Sequence, residues 1–150
     1  AKSKVFSTAG SDANRPIQID DIYLERIRIN QVIEIPDVIY ELGKWDITAS
    51  AQQQLDKVVD FMNDNPSVSI ELSSHTDARG DDKYNMELSQ KRAQSAVDYI
   101  ASQGVSVERI IAKGYGEAQL KNGCKDGVSC TEAEHKVNRR TEIRVVSIDN

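Results

Sequence analysis

The chain has little of what several function classes require. It has no surplus of basic residues: 19 Lys and Arg stand against 24 Asp and Glu over 150 residues, a formal net charge of -5. Neutralising a phosphate backbone takes an excess of Lys and Arg, so nucleic-acid binding is disfavoured. No apolar run approaches the roughly 20 residues needed to cross a bilayer. No apolar leader opens the chain either, since Ala1-Lys2-Ser3-Lys4 runs into polar residues. A mature or excised part of an exported protein would look the same. Histidine and cysteine are scarce, with two of each: His75, His135, Cys124 and Cys130. Zinc sites place cysteines two to four apart and add further ligands, so no metal or cofactor is expected. Six positions apart, in a loop with two glycines, Cys124 and Cys130 could instead close a small disulfide ring, which would imply an oxidising compartment. Two reduced thiols in a loop are the alternative.

What is present suits one compact domain with an extension. Hydrophobic residues make up 39% and charged residues 29%, an ordinary globular balance. Residues 1–30 differ from the rest. Ala1 to Pro16 is small, polar and turn-rich and reads as a linker or the end of an upstream region. Ile17 to Asn30 alternates in short stretches and reads as one or two strands, the second over Glu25 to Asn30. The domain itself is set at 31–150.

Within that domain Val32 to Ile35 is extended, because Pro36 disfavours helix at the residue before it. Asp37 to Leu42 reads as a short strand or turn, and Gly43 to Asp46 as a turn. Ala51, Leu55, Val58, Val59 and Met62 recur at helical spacing behind Thr48, a plausible N-cap, and Asn65-Pro66 stops that helix. Val68, Ile70 and Leu72 alternate with polar residues, as in a half-buried strand ending near His75-Thr76-Asp77. A Gly80 turn follows, then a helix from about Tyr84 to Gln103, with Gly104 where a left-handed cap residue belongs. Ile110-Ile111 leads a strand into Gly114-Tyr115-Gly116-Glu117. Ala118 to Val137 reads as a loop of about 20 residues, long enough to need a function or a tie. Thr141 to Ile148 is the last strand. Helices and strands interleave to predict an α+β fold, a two-layer α/β sandwich with helices on a small mixed sheet.

The second helix carries an anomaly. At about 100° per residue, Leu88, Tyr99, Ala96, Ile100, Ala93, Met86 and Val97 cover an arc of about 180°. Asn85, Ser89 and Arg92 fall inside it. A guanidinium directed at a core needs a partner, because an unpaired buried charge costs several kcal/mol. Either Arg92 pairs with an internal carboxylate such as Glu71 or Asp77, or it lines a pocket and receives a carboxylate from outside. Asp77, before a glycine turn, can equally be turn chemistry.

Ser73, His75 and Asp77 share one side of a strand and invite comparison with a catalytic triad. Alternate residues on a strand stand about 6.5 to 7 Å apart, whereas a triad needs hydrogen-bond contact. No oxyanion-hole glycine motif accompanies the serine. Catalysis is not expected on these grounds.

Taken together, His75-Thr76-Asp77-Ala78-Arg79-Gly80, Asn85, Leu88-Ser89, Arg92-Ala93, Gly114-Tyr115-Gly116-Glu117 and Asn138-Arg139-Arg140 resemble the OmpA-like C-terminal domain. This is the module shared by outer-membrane proteins, Pal lipoproteins and flagellar stator proteins. The resemblance covers about Ile33 to Ile148 and implies a βαβαββ-type fold that binds the peptide stem of peptidoglycan without covalent chemistry. By that resemblance Asp77 takes the ammonium and Arg92 the carboxylate of diaminopimelate. Asn85 matches a further pocket position, and Thr76 and Ala78 flank the aspartate. Arg139 and Arg140 match an Arg-Arg pair before the last strand, with Arg140 set among the ligand-binding residues. The implied setting is a periplasmic domain of an outer-membrane-associated protein, not itself membrane-spanning, that anchors the outer membrane to the cell wall. One departure stands at Leu42-Gly43, where many relatives carry Phe-Asp near the ligand. The long cysteine loop looks similar to insertions in Bacteroidota-type members. A wall hydrolase, or an oligomerisation domain pairing through residues 17–35, are the rival readings.

Overall fold

The structure, a computed structural model, describes residues 17–19, 27–35, 38 and 40–149. Its elements run β1 (Val32–Ile35), α1 (Ala49–Asp64), β2 (Val68–His75), α2 (Asp82–Ser102), β3 (Ile110–Gly116), α3 (Glu132–Asn138) and β4 (Arg140–Ile148). A 3-10 turn, Val107–Arg109, leads into β3. The strand order across the sheet is β1-β4-β2-β3. β2 and β3 are parallel and joined through α2, while β4 lies antiparallel between β2 and β1. Parallel neighbours need a crossover, and α2 supplies it. The fold is α+β on a small mixed sheet, as the alternation of elements predicts.

Period two sorts the strands into two faces. Ile33, Ile35, Ile70, Leu72, Ile143 and Val145 are fully or almost fully buried and join Leu55, Val58, Phe61, Met62, Ala93, Ala96, Val97 and Ile100 from the helices in one core. Truncating any large member of this set to Ala would cost about 2–5 kcal/mol. The alternate positions carry a polar ladder. Arg144 bonds Glu71 at 3.2 Å, Tyr115 Oη donates to Glu71 at 2.7 Å, and Lys121 pairs with Glu34 at 2.6 Å.

The helix ends follow from local chemistry. Thr48 caps α1 by accepting from the Ala51 N–H at 3.2 Å. Asp81 caps α2 by accepting from Lys83 N–H at 2.9 Å, so this helix starts two residues earlier than its apolar spacing suggests. Gly104 follows the helix with φ +102°. Small residues set how closely α2 lies on β3. A Cβ on Gly114 would stand 2.2 Å from the backbone nitrogen of Gln90. Ser89, one of the three polar residues in the apolar arc, donates to Met86 O and accepts from Gly116 N–H, both at 2.9 Å. It pins the helix to the end of β3.

Several expectations are corrected. The end of the expected loop, residues 132–137, is helical and with Asn138 forms α3; Thr131 and Glu134 make a reciprocal capping box, each side chain bonding the other's backbone N–H. Met86 is exposed rather than buried in the arc. Ile29 and Asn30 form a turn, with Asn30 at φ +68°, instead of ending a strand; residues 20–26 of that expected strand lie outside the described residues. Packing also begins before residue 31. Ile19 is buried in the core, the Glu34 N–H donates to Ile17 O at 2.8 Å, and Gln18 bridges Glu34 in parallel. Val146 and Ile148 blur the alternation of β4 because the β2–β4 register shifts between Ser69 and Ile70. The disulfide ring expected between Cys124 and Cys130, by contrast, is formed.

Candidate functional site

β2 ends at His75, and the chain turns through Thr76–Gly80 into α2. The turn is built by its own side chains. Thr76 N–H donates to Gly116 O at 2.9 Å, and Thr76 Oγ1 donates to Asp77 O at 2.9 Å. Asn85 Nδ2 donates to Arg79 O at 3.0 Å, with Asp77 O at 3.5 Å and Glu117 Oε1 at 3.4 Å. Asn85 therefore ties the first turn of α2 to the carbonyls around Asp77. Ala78 is buried beneath the turn.

Asp77 is buried, with its carboxylate heavily engaged. Oδ1 accepts from Arg79 N–H at 2.9 Å, and Oδ2 accepts from Arg79 Nη2 and from Arg139 Nη1, each at 2.8 Å. Burial pushes the Asp77 pKa up, but the bonds from Arg79 and Arg139 outweigh it and hold the group at about 2. Asp77 is thus an anion throughout the physiological range.

Arg92 pairs with neither of the internal carboxylates considered from sequence. Glu71 is taken by Arg144 and Tyr115, and Asp77 by Arg79 and Arg139. Arg92 Nε donates to Lys44 O at 2.9 Å and Nη2 to Glu41 O at 3.2 Å. Its guanidinium also lies over the Tyr40 ring, 4.8 Å from the centroid. Tyr40 Oη in turn donates to Arg92 O at 3.1 Å, and burial raises the Tyr40 pKa to about 12, keeping it a neutral donor. Carbonyls and an aromatic face orient the guanidinium, and among the described residues no carboxylate pairs with it. Burial lowers the Arg92 pKa, and the nearby Arg139 charge lowers it further. Arg139 thus bonds Asp77, and its charge also bears on Arg92.

Of the Arg-Arg pair, the two members have separate work. Arg139 reaches Asp77. Arg140, almost fully buried, donates from Nε to Glu142 at 3.0 Å, from Nη1 to Asn138 O at 3.2 Å and from Nη2 to Gln119 O at 2.8 Å. Arg139 is the C-cap of α3 and Arg140 the first residue of β4, and their side chains find different carboxylates, Asp77 and Glu142. Arg79 and Glu132 were not picked out from sequence. Glu132 joins Arg79 and Arg139 at the rim. The Thr131-to-Glu134 capping signature was the readable sign that an ordered helix starts there.

Ser73 and His75 meet more closely than their spacing along the strand predicts. Ser73 Oγ lies 2.9 Å from His75 Nε2, because the side chains lean together although their Cα atoms are two positions apart. The constellation is still not that of a triad. Glu142 Oε1 approaches the same Nε2 at 3.3 Å, and Nδ1, which a triad's acid must hold, has no partner among the described residues. The ring stacks on Tyr115, centroids 5.2 Å apart, and Ser73 is buried. Among the described residues no helix is long and apolar enough to cross a membrane.

The OmpA family model matches residues 39–133. Outer membrane protein A of Serratia marcescens is 35% identical over 114 residues, covering 75% of this chain and 30% of that protein. The chain thus spans about a third of the length of that curated relative. Two solved structures share the fold. The peptidoglycan-associated lipoprotein from Burkholderia pseudomallei superposes with TM-score 0.59 at 23% identity, covering 73% of this chain and 86% of that one. The cell wall anchor of the T6SS from Pseudomonas aeruginosa gives 0.63 at 22% identity, covering 85% and 92%.

Proposed function

The chain belongs to the OmpA family, and we propose that it binds peptidoglycan non-covalently through the diaminopimelate of the stem peptide. In this reading Asp77 receives the ammonium and Arg92 the carboxylate of the free stereocentre, with Thr76, Ala78 and Asn85 shaping the turn that presents Asp77. Arg139 joins the site directly, and Arg140 braces the strand through Glu142. The domain works in the periplasm as an anchor between an outer-membrane-associated protein and the wall, and performs no covalent chemistry.

The observation that carries this is the state of Arg92. It is a half-buried guanidinium held in place by Glu41 and Lys44 carbonyls, without a carboxylate among the described residues to balance its charge. Backbone carbonyls fix direction without neutralising, which is what a receptor for an external carboxylate requires. Asp77 supplies the opposite charge in this reading, and Arg139, which bonds Asp77, also bears electrostatically on Arg92. The neighbours named as a peptidoglycan-associated lipoprotein and a cell wall anchor favour the same partner.

Sedimentation with purified peptidoglycan tests it. Asp77→Ala and Arg92→Ala are each expected to leave the protein in the supernatant, while wild type pellets, and thermal melting should show both variants folded. Retention of binding by both would overturn the pocket. Release of soluble wall fragments on incubation would overturn the binding-only reading.

A further inference from the structure

An ammonium arriving at Asp77 meets a carboxylate already covered. Arg79 Nη2 and Arg139 Nη1 both donate to Oδ2 at 2.8 Å. Glu132 closes these groups into a ring, accepting from Arg79 Nη1 at 2.9 Å and from Arg139 Nη2 at 2.5 Å. A third cation at the same oxygen would face two guanidiniums at close range, and like charges there repel. For an ammonium to bond Oδ2, one of them gives way.

Exposure distinguishes the members. The side chain of Asp77 is 8% exposed and that of Arg139 34%, against 52% for Arg79 and 65% for Glu132. Arg79 is the half-solvated cation, and half-exposed ion pairs are weak. It can leave by side-chain rotation alone, because its backbone N–H bond to Oδ1 at 2.9 Å does not depend on the guanidinium. Glu132 already holds Nη1 and can keep it.

We propose that the Arg79 guanidinium is an internal stand-in for the ligand's ammonium, exchanged from Asp77 onto Glu132 when a ligand bearing an ammonium beside a carboxylate binds. The exchange makes Arg79 a specificity-determining residue. Weak or poorly placed cations fail to displace it, and a ligand with only a carboxylate leaves it in position. Glu132 is the partner that makes the exchange cheap, and it is carried by α3, which follows the disulfide loop. The inference rests on the reading of Asp77 as the ammonium-binding group.

The test is calorimetric titration of the full chain with two probes. One is a stem peptide carrying diaminopimelate; the other is the same peptide with the distal ammonium deleted. The quantity read is the ratio of the two affinities. Arg79→Ala is expected to raise that ratio on the order of two- to fivefold, the scale of a partly exposed ion pair. Arg79→Gln, which keeps more of the side chain, should do the same, and melting curves would confirm folding. Glu132→Gln should lower the ratio, since Arg79 then has only Asp77. An unchanged or lower ratio in both Arg79 variants, with wild-type binding intact, overturns the stand-in while Asp77 keeps its role. Equal affinity of wild type and Asp77→Ala for the first probe overturns the reading of Asp77 and the stand-in with it.

Discussion

Arg139 donates to Asp77 at 2.8 Å across 62 positions of sequence, tying the start of β4 to the turn that follows β2. This bond and the two from Arg79 hold Asp77 ionised down to a pKa of about 2, against a burial effect of opposite sign. A carboxylate whose folded pKa is depressed stabilises the fold above its unfolded value, near 3.8, and that stability is lost as pH falls through the folded value. Acid unfolding followed by circular dichroism between pH 5 and pH 1.5 should therefore shift to higher pH in Arg139→Ala.

Glu142 behaves alike for a different reason. Burial pushes its pKa up, but the His75 hydrogen bond and the Arg140 charge bring it down to about 2. Arg140 is almost fully buried against it at 3.0 Å. Arg140→Ala leaves Glu142 without that partner, and a broken buried pair costs about 3 kcal/mol or more. Chemical denaturation at pH 7 should show that loss. At low denaturant, where the variant stays folded, wall binding should fall far less than in Arg92→Ala.

Glu117 has the opposite sign. Burial, a hydrogen bond shared with Asp82 and the nearby Asp126 charge together raise its pKa to about 7. These three carboxylates lie within 4.8 Å of one another. An acid whose folded pKa is raised is protonated in the fold while the unfolded chain ionises. Its effect on stability thus declines from about pH 4.5 to about pH 7 and is level above. Glu117→Gln should be more stable than wild type at pH 8, with the gain shrinking toward pH 5. Melting temperatures at the two pH values check this.

Periodic patterns made most of the fold legible. The α1 stripe, the β2 alternation and the α2 arc each report burial on one face, and burial is what residue type encodes. Partners are encoded less well. The wheel placed Arg92 at a core edge, but its bonds go to the carbonyls of Glu41 and Lys44, and a carbonyl has no sequence signature. Asp77 is legible as a turn acid, whereas its pairing with Arg79 and Arg139 depends on where β4 enters the sheet. Ser73 and His75 were separated on Cα spacing, which does not fix where side-chain tips meet. α3 escaped because only Glu132–Asn138 is helical, too short for an apolar stripe, although its capping box was there to read.

The disulfide lies just before the rim of the site. Cys130 is followed by Thr131, which caps α3, and by Glu132, which holds Arg79 and Arg139. Closing so short a loop removes unfolded-chain entropy worth about 2 kcal/mol. Reduction, or Cys124→Ser with Cys130→Ser, should lower the melting temperature accordingly. It should also loosen Glu132, so hydrogen exchange at residues 131–134 should speed up more than at the core strand β2.

The geometry of Gly43 gives it a positional role. It has φ +68°, a left-handed conformation that side chains other than glycine's adopt at a cost. A Cβ there would also stand 3.2 Å from Tyr84 Oη. Gly43 lies between Glu41 and Lys44, whose carbonyls aim the Arg92 guanidinium and which bond each other as Lys44 N–H to Glu41 O at 2.9 Å. Strain at Gly43 therefore reaches Arg92 through its two acceptors. Gly43→Ala is expected to cost about 1 kcal/mol of stability and to weaken peptidoglycan binding by more than the stability loss explains. Tyr84→Phe in the same chain relieves the contact but not the φ, so it should restore binding only in part. A Gly43→Ala variant that bound like wild type would show that the carbonyls of this turn do not set the Arg92 geometry.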